Sequence, residues 1–316
     1  MSAPLVRSAT PSLDVAWGDL GHRTTVTARG PDAARFIDGF ATAAIGPLTV
    51  GSGTETFFAD ARGWVIAMAV VLRIDDGLLI DAEPGLGTRL CDHLEHFHIR
   101  ERLELVDASS EWSSLLLFGP AATAWLVGHG VNDPSPLFGH QESMLGGFAV
   151  RLLRTDWWSD SGWLVRCQAH DRTRFVEWLR QQGLAEADAA AVETLRIERG
   201  TPHPCDLPEK TLPQELGRDA RTLSFTKGCY LGQETVARLD ALGHVNRRLV
   251  AVAVDGDLRA GAEVRGGGGE AFGILTSACH SPRLGCGLGL GVLSTKAAAS
   301  EITVDGMAAR IVKVPA

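Results

Sequence analysis

The stretch SFTKGCYLGQETVARLDAL, residues 224–242, sets a glycine-punctuated turn directly before a run of good helix formers. Gly228 permits a sharp or left-handed backbone just before Cys229, and Gly232 permits close approach one helical turn later. From Gln233 onward the spacing predicts a helix with Val236 and Leu239 facing inward. Cys229 is then expected at or near the helix N-terminus with Lys227 beside it, where unpaired amides and a cation both favour a thiolate. Such a sulfur is a nucleophile, a redox centre or a metal ligand. The plainer alternative is a small buried side chain in a turn that the glycines merely shape.

Upstream, a helix is expected over 172–183, with Phe175, Trp178 and Leu179 on one face and Gly183 as its stop. A second is expected over 185–200, ended by Gly200, with Glu198 near its C-terminal end. Between it and the cysteine junction lie twenty-five residues, 201–225, with four prolines. A loop of that length inside a compact domain tends to be functional or disordered, and the prolines favour an ordered wrap. The first hundred residues alternate strands (14–29, 54–60, 64–73, 77–83) with single helices near 30–40 and 85–98, and the middle repeats the theme. Beyond residue 243 the chain turns strand-rich, with short turns and a glycine tract, as a small β-barrel would. The fold class is therefore α+β, with a first domain over 1–243 and a β-barrel domain over 244–316.

The bulk properties narrow the function. A net charge of −8 speaks against direct nucleic-acid binding. The longest apolar run, 64–72, is about half a membrane span and reads as a buried strand, so no membrane association is expected. The opening residues lack an apolar export core, and six scattered cysteines read as free thiols of a reducing cytoplasm. Cys279, His280 and Cys286, like His203 and Cys205, lack the paired spacing of a structural zinc site, so no stably held metal is expected.

KGCYLGQE (227–234) resembles the signature of the YgfZ family of folate-binding proteins. TLRIERGTP (194–202) and LPQELG (212–217) resemble that family's neighbouring segments, and GPDAARFIDGFAT with FFADARGWVIA (30–42, 57–67) its opening domain. GILTSACHSPRLGCGLGLGVL (273–293) resembles the C-terminal barrel shared with the glycine cleavage T protein. The resemblance implies intertwined α+β subdomains around a central folate channel, closed by a β-barrel. It implies tetrahydrofolate or a derivative as cofactor, and iron–sulfur client enzymes or assembly factors as partners, tRNA-modifying enzymes among the clients. Cys229 and Lys227 become the implied reactive residues, and Glu198, Lys227, Gly228, Tyr230 and Gln233 the implied cofactor-binding set. Glu198 would hold the pterin edge, and Lys227 would either meet the glutamyl carboxylate of folate or tune Cys229. The alternative activity is a tetrahydrofolate-dependent aminomethyltransferase or other one-carbon transferase. Against it stands Ala44, in FATAAIG (40–46), where the related transferase carries an acid near the reacting nitrogen.

Overall fold

The computed structural model describes residues 14–132 and 136–315; the leading segment, read above as lacking an export core, lies outside them. Strands β1 (Ala16–Gly21) and β2 (Thr24–Arg29) are consecutive in the chain yet enter different sheets. The switch occurs at Gly21, whose φ of +62° suits glycine. Helix α1 (Ala33–Asp38), strands β3 (Gly53–Ala59), β4 (Val65–Ile74) and β5 (Gly77–Ala82), helix α2 (Gly87–Glu95) and β6 (Glu104–Asp107) complete the first unit. Its five-stranded sheet runs β3-β4-β5-β2-β6. Phe36, Ile37, Leu90 and Leu94 of the two helices pack on Val26, Val71 and Ile80 of that sheet.

The second unit comprises β7 (Trp112–Phe118), α3 (Ala122–Gly128), β8 (His140–Leu145), β9 (Phe148–Thr155), β10 (Gly162–Gln168), α4 (Arg172–Gln181), β11 (Ala185–Ala187) and α5 (Ala189–Arg199). Its sheet runs β11-β1-β7-β10-β9-β8, so the first strand among the described residues lies inside the second unit. That exchange is what intertwines the two. The helix expected over 185–200 is shorter than the sequence suggested. Residues 185–187 pair in parallel with 16–18, and Asp188 accepts the N–H of Ala191 as the true N-cap. A three-residue strand carries too little pattern to separate from the alanine-rich helix that follows it.

The facing sheets bury a mixed layer. Phe57, Met68, Leu72, Leu116, Leu153, Trp157 and Leu164 supply the apolar part. Within it Arg23 donates to Asp81 (2.8 Å) and Glu83 (2.9 Å), Arg166 also pairs Asp81, and the rings of Trp157 and Trp158 cover Arg23 at 5.4 and 5.3 Å. Burial opposes the Arg23 charge, but the two carboxylates outweigh it and hold the guanidinium protonated.

After the long loop, which contains the short helix α6 (Asp219–Thr222), and helix α7 (Gln233–Leu242), the last seven strands form one curled antiparallel sheet. They are β12 (Arg247–Val254), β13 (Glu263–Gly266), β14 (Ala271–Ile274), β15 (Ser277–Ser281), β16 (Cys286–Ser294), β17 (Ile302–Val304) and β18 (Met307–Val312). Val252, Val264, Phe272, Leu293 and Val304 fill this half-barrel. Its outer face, through Ala251, Ala253, Leu288 and Leu290, takes Ile197 of α5. The expected α+β architecture with a closing barrel is therefore the one observed. No helix among the described residues is long and apolar enough to cross a membrane.

One buried titratable group gives this packing a pH dependence. His140 is buried, its Nδ1 must accept from Arg151 (3.2 Å), and its Nε2–H therefore donates to the Arg73 carbonyl (3.0 Å). Burial, with Arg151 adding to it, pushes its pKa down to about 4. The unfolded chain therefore binds a proton at this residue that the folded chain refuses, and stability falls as pH drops from the ordinary histidine range toward 4. Urea unfolding at pH 7 and pH 4.5 should show the wild type losing on the order of 2–3 kcal/mol more than H140Q.

Candidate functional site

A cleft of about 450 Å³ opens between β4, the start of α2 and the long loop. One wall is Trp64 to Met68, another Glu83, Leu86 and Arg89, and the third Pro202 to Pro204 with Leu207 to Lys210. Asp60 stands at the rim, where its Oδ1 accepts the N–H groups of Arg62 and Trp64 (both 2.9 Å) and fixes the β3–β4 turn. Cations flank the Trp64 ring, Arg62 at 4.8 Å and Lys210 at 5.5 Å. Glu83, held from behind by Arg23, and His203 face each other at 3.8 Å. The long loop closes onto the sheet through the Val65 N–H, which donates to the Thr211 carbonyl at 2.8 Å.

KGCYLGQE reaches this cleft through its second glycine. Gly232 has φ +82°, and a Cβ there would lie 2.5 Å from the Asp60 carbonyl oxygen and 2.8 Å from the Gly63 Cα. Only glycine lets the start of α7 rest on the cleft-forming turn. Gly228 differs from expectation: its φ is not among the positive ones and open space surrounds it, so its freedom is not used.

Cys229 is exposed and lies three residues before the α7 N-cap, Gly232, so it stands outside the first turn rather than on it. Lys227 is committed elsewhere. Its Nζ donates to the carbonyls of Asp38 (2.5 Å), Ala41 (2.9 Å) and Ala43 (2.9 Å) and pairs Asp38 Oδ1 at 3.2 Å. Burial pulls its pKa below the lysine range and Asp38 offsets only part of that. All three ammonium protons thus have acceptors. Tyr230 is buried with its ring 5.3 Å from Nζ, and burial pushes its phenol up to about 12. Gln233 Oε1 accepts the Tyr230 N–H at 3.4 Å. These residues make one packed knot under segment 38–46.

Glu198 lies apart from both the knot and the cleft lining. On the last turn of α5 it accepts from Ser281 Oγ and from the Arg283 N–H (3.4 Å), and it pairs the Arg283 side chain at 3.4 Å, which ties α5 to the barrel. Asp38, the acid nearest Ala44 in the sequence, is engaged as well. Asp38 Oδ1 accepts the N–H of Ile45 (2.6 Å) and Gly46 (3.1 Å); burial opposes ionisation, but these bonds and Lys227 hold its carboxyl below the usual range.

Sequence reasoning missed Glu83, Arg89, Trp64 and His203 as cleft residues. One usable signal was the acidic DAE at 81–83, ending a strand otherwise made of Leu and Ile; the other was the length of the loop carrying His203. Among the described residues no cluster of three or more His, Cys, Asp or Glu side chains is placed to hold a metal ion.

If Lys227 braces segment 38–46, K227M leaves the carbonyls of Asp38 and of the buried Ala41 and Ala43 without this donor. Urea unfolding should then show a loss of about 2–3 kcal/mol. A stability equal to wild type would mean that the ammonium is kept for a ligand instead.

Residues 12–223 match the GCVT N-terminal domain, and residues 247–316 match the glycine cleavage T-protein C-terminal barrel domain. A chloroplastic protein of Arabidopsis thaliana that carries a transferase name is 25% identical over 293 residues, covering 90% of this chain and 67% of that protein. An aminomethyltransferase of Rubrobacter xylanophilus is 27% identical over 280 residues, covering 86% and 74%. The crystal structure of the glycine cleavage system aminomethyltransferase T from Bartonella henselae superposes with a TM-score of 0.82 at 18% identity, over 96% of this chain and 86% of that one.

Proposed function

Because this chain belongs to the glycine cleavage T-protein family, we propose that it binds tetrahydrofolate or a derivative in the 450 Å³ cleft and serves in the cytoplasm as a YgfZ-type accessory protein. In this reading it supports assembly or repair of iron–sulfur enzymes, tRNA-modifying ones included, through the exposed thiol of Cys229. The cleft fits the ligand chemically. Its volume is that of a small-molecule site. Trp64 offers an aromatic face, Asp60 and Glu83 are acceptors for an aminopyrimidine edge, and Arg89 and Lys210 are cations for a carboxylate tail. Bound tetrahydrofolate would supply a ring nitrogen able to carry one-carbon units. Lys227, Tyr230 and Gln233 are assigned to presenting Cys229 and bracing segment 38–46, Gly228 to the turn between them, and Glu198 to joining the cleft domain to the barrel.

The observation that carries the accessory reading is the state of segment 38–46. Its single carboxylate, Asp38, is bonded to the segment's own backbone and to Lys227, and Ala44 offers none. A site built for aminomethyl transfer needs an acid there to stabilise charge at the reacting nitrogen. The second reading, tetrahydrofolate-dependent aminomethyl or other one-carbon transfer, is favoured by the name of the relative at 27% identity.

Cells lacking their own copy, complemented at equal expression with wild type or C229S, test the two. The accessory reading expects iron–sulfur enzyme activities restored by wild type and not by C229S. Equal rescue by both, together with turnover of an aminomethyl donor by the purified protein with tetrahydrofolate, would replace it with the transferase.

A further inference from the structure

Cys205 is the other exposed cysteine, and it belongs neither to the Lys227 knot nor to the cleft lining. It sits in the short turn Pro204–Asp206, whose start, His203, lines the cleft. His203 Nδ1 lies 3.2 Å from Cys205 Sγ, within hydrogen-bond range of a thiol. The other ring nitrogen, Nε2, faces Glu83 Oε2 at 3.8 Å, and Glu83 is buried and anchored by Arg23 at 2.9 Å. On its far side the sulfur rests 3.6 Å from Ser277 Oγ of the barrel. A nucleophile beside a base, with a third group facing the base, is the arrangement of an activated thiol.

We propose that Cys205 and His203 form a nucleophilic thiol–imidazole pair at the rim of the cleft, with Glu83 as the charge partner of the imidazole, and that the pair adds reversibly to small aldehydes. Burial and the neighbouring Asp206 push the Cys205 thiol up, while Ser277 and Arg196 oppose them and Glu193 adds to them. The sulfur therefore carries its proton at neutral pH and needs a base to react. As the sulfur lone pair bonds to the carbonyl carbon, the S–H proton passes to His203 Nδ1. The π pair of the C=O bond moves onto oxygen, and the imidazolium returns the proton there, leaving a neutral hemithioacetal. Atoms and electrons balance with no oxidant, leaving group or further reactant. Addition to an aldehyde needs one proton moved from sulfur to oxygen, which this pair can carry unaided. The proposal does not depend on folate occupying the cleft.

Two measurements on the folded full-length protein test it. With limiting iodoacetamide at neutral pH, peptide mass spectrometry reads the alkylation rate of each cysteine. Cys205 is expected to react about tenfold or more faster than Cys229. That ratio should fall to about one in H203Q and fall in part in E83Q. Because both thiols are read in the same molecule, a general loss of stability does not mimic the change. With [13C]formaldehyde, carbon NMR of C229S should show an S-hydroxymethyl resonance of Cys205 whose exchange with free aldehyde slows about tenfold when H203Q is added to C229S. Cys229 reacting as fast as Cys205 in wild type, a ratio unmoved by H203Q, or a Cys205 resonance absent from C229S or exchanging equally fast without His203 would each overturn the proposal.

Discussion

One buried carboxylate joins the parts of this protein. Asp206 receives the Arg196 guanidinium of α5 (2.8 Å), the His203 N–H of the long loop (3.0 Å), and the hydroxyls of Thr276 (2.5 Å) and Ser277 (2.6 Å) from the barrel. A charge without solvent is tolerable only when its lone pairs are taken, and here four donors from three elements take them. Arg196 is bound in turn by Glu193, by the Thr201 carbonyl and by Ser277. The position of the loop that walls the cleft therefore follows from satisfying this one group. So does the position of His203 and Cys205.

The cleft's other walls depend on a second set of buried charges. Arg23 lies where the chain passes from one sheet to the other, and its bonds to Asp81 and Glu83 hold the end of β5 against that crossing. Glu83 then reaches the cleft with its rear oxygen already engaged, which leaves its orientation little freedom. Gly232 completes the frame by letting the first residues of α7 rest on the Asp60–Gly63 turn. The residues around Cys229 are thus mechanically continuous with the cleft, although Cys229 itself is exposed and lines none of it.

Much of this was legible in the sequence. The helices at 33–38, 172–181 and 233–242 announce themselves by apolar spacing and glycine stops, and the long antiparallel strands by β-branched and leucine-rich runs between turn residues. What was not legible is where long side chains go. Lys227 next to Cys229 in sequence reads as an electrostatic neighbour, yet its four-carbon stem carries the ammonium back to carbonyls almost two hundred residues upstream. Glu198 reads as a helix-end carboxylate free for a ligand, but the barrel that meets it is eighty residues away in the chain. The entry of β1 into the second unit's sheet is likewise invisible to local pattern, because β1 and β2 are consecutive short strands two residues apart, and nothing in their residues names a sheet. Tertiary partners decided each of these, and periodicity carries no information about them.

Hydrogen exchange with and without saturating tetrahydrofolate tests most directly whether the cleft is the folate site. Slowed exchange in segments 60–68, 83–89 and 202–210, with the barrel turn at 281–284 unchanged, is the predicted result. Protection confined to the Glu198–Arg283 junction, or no protection anywhere, would contradict it.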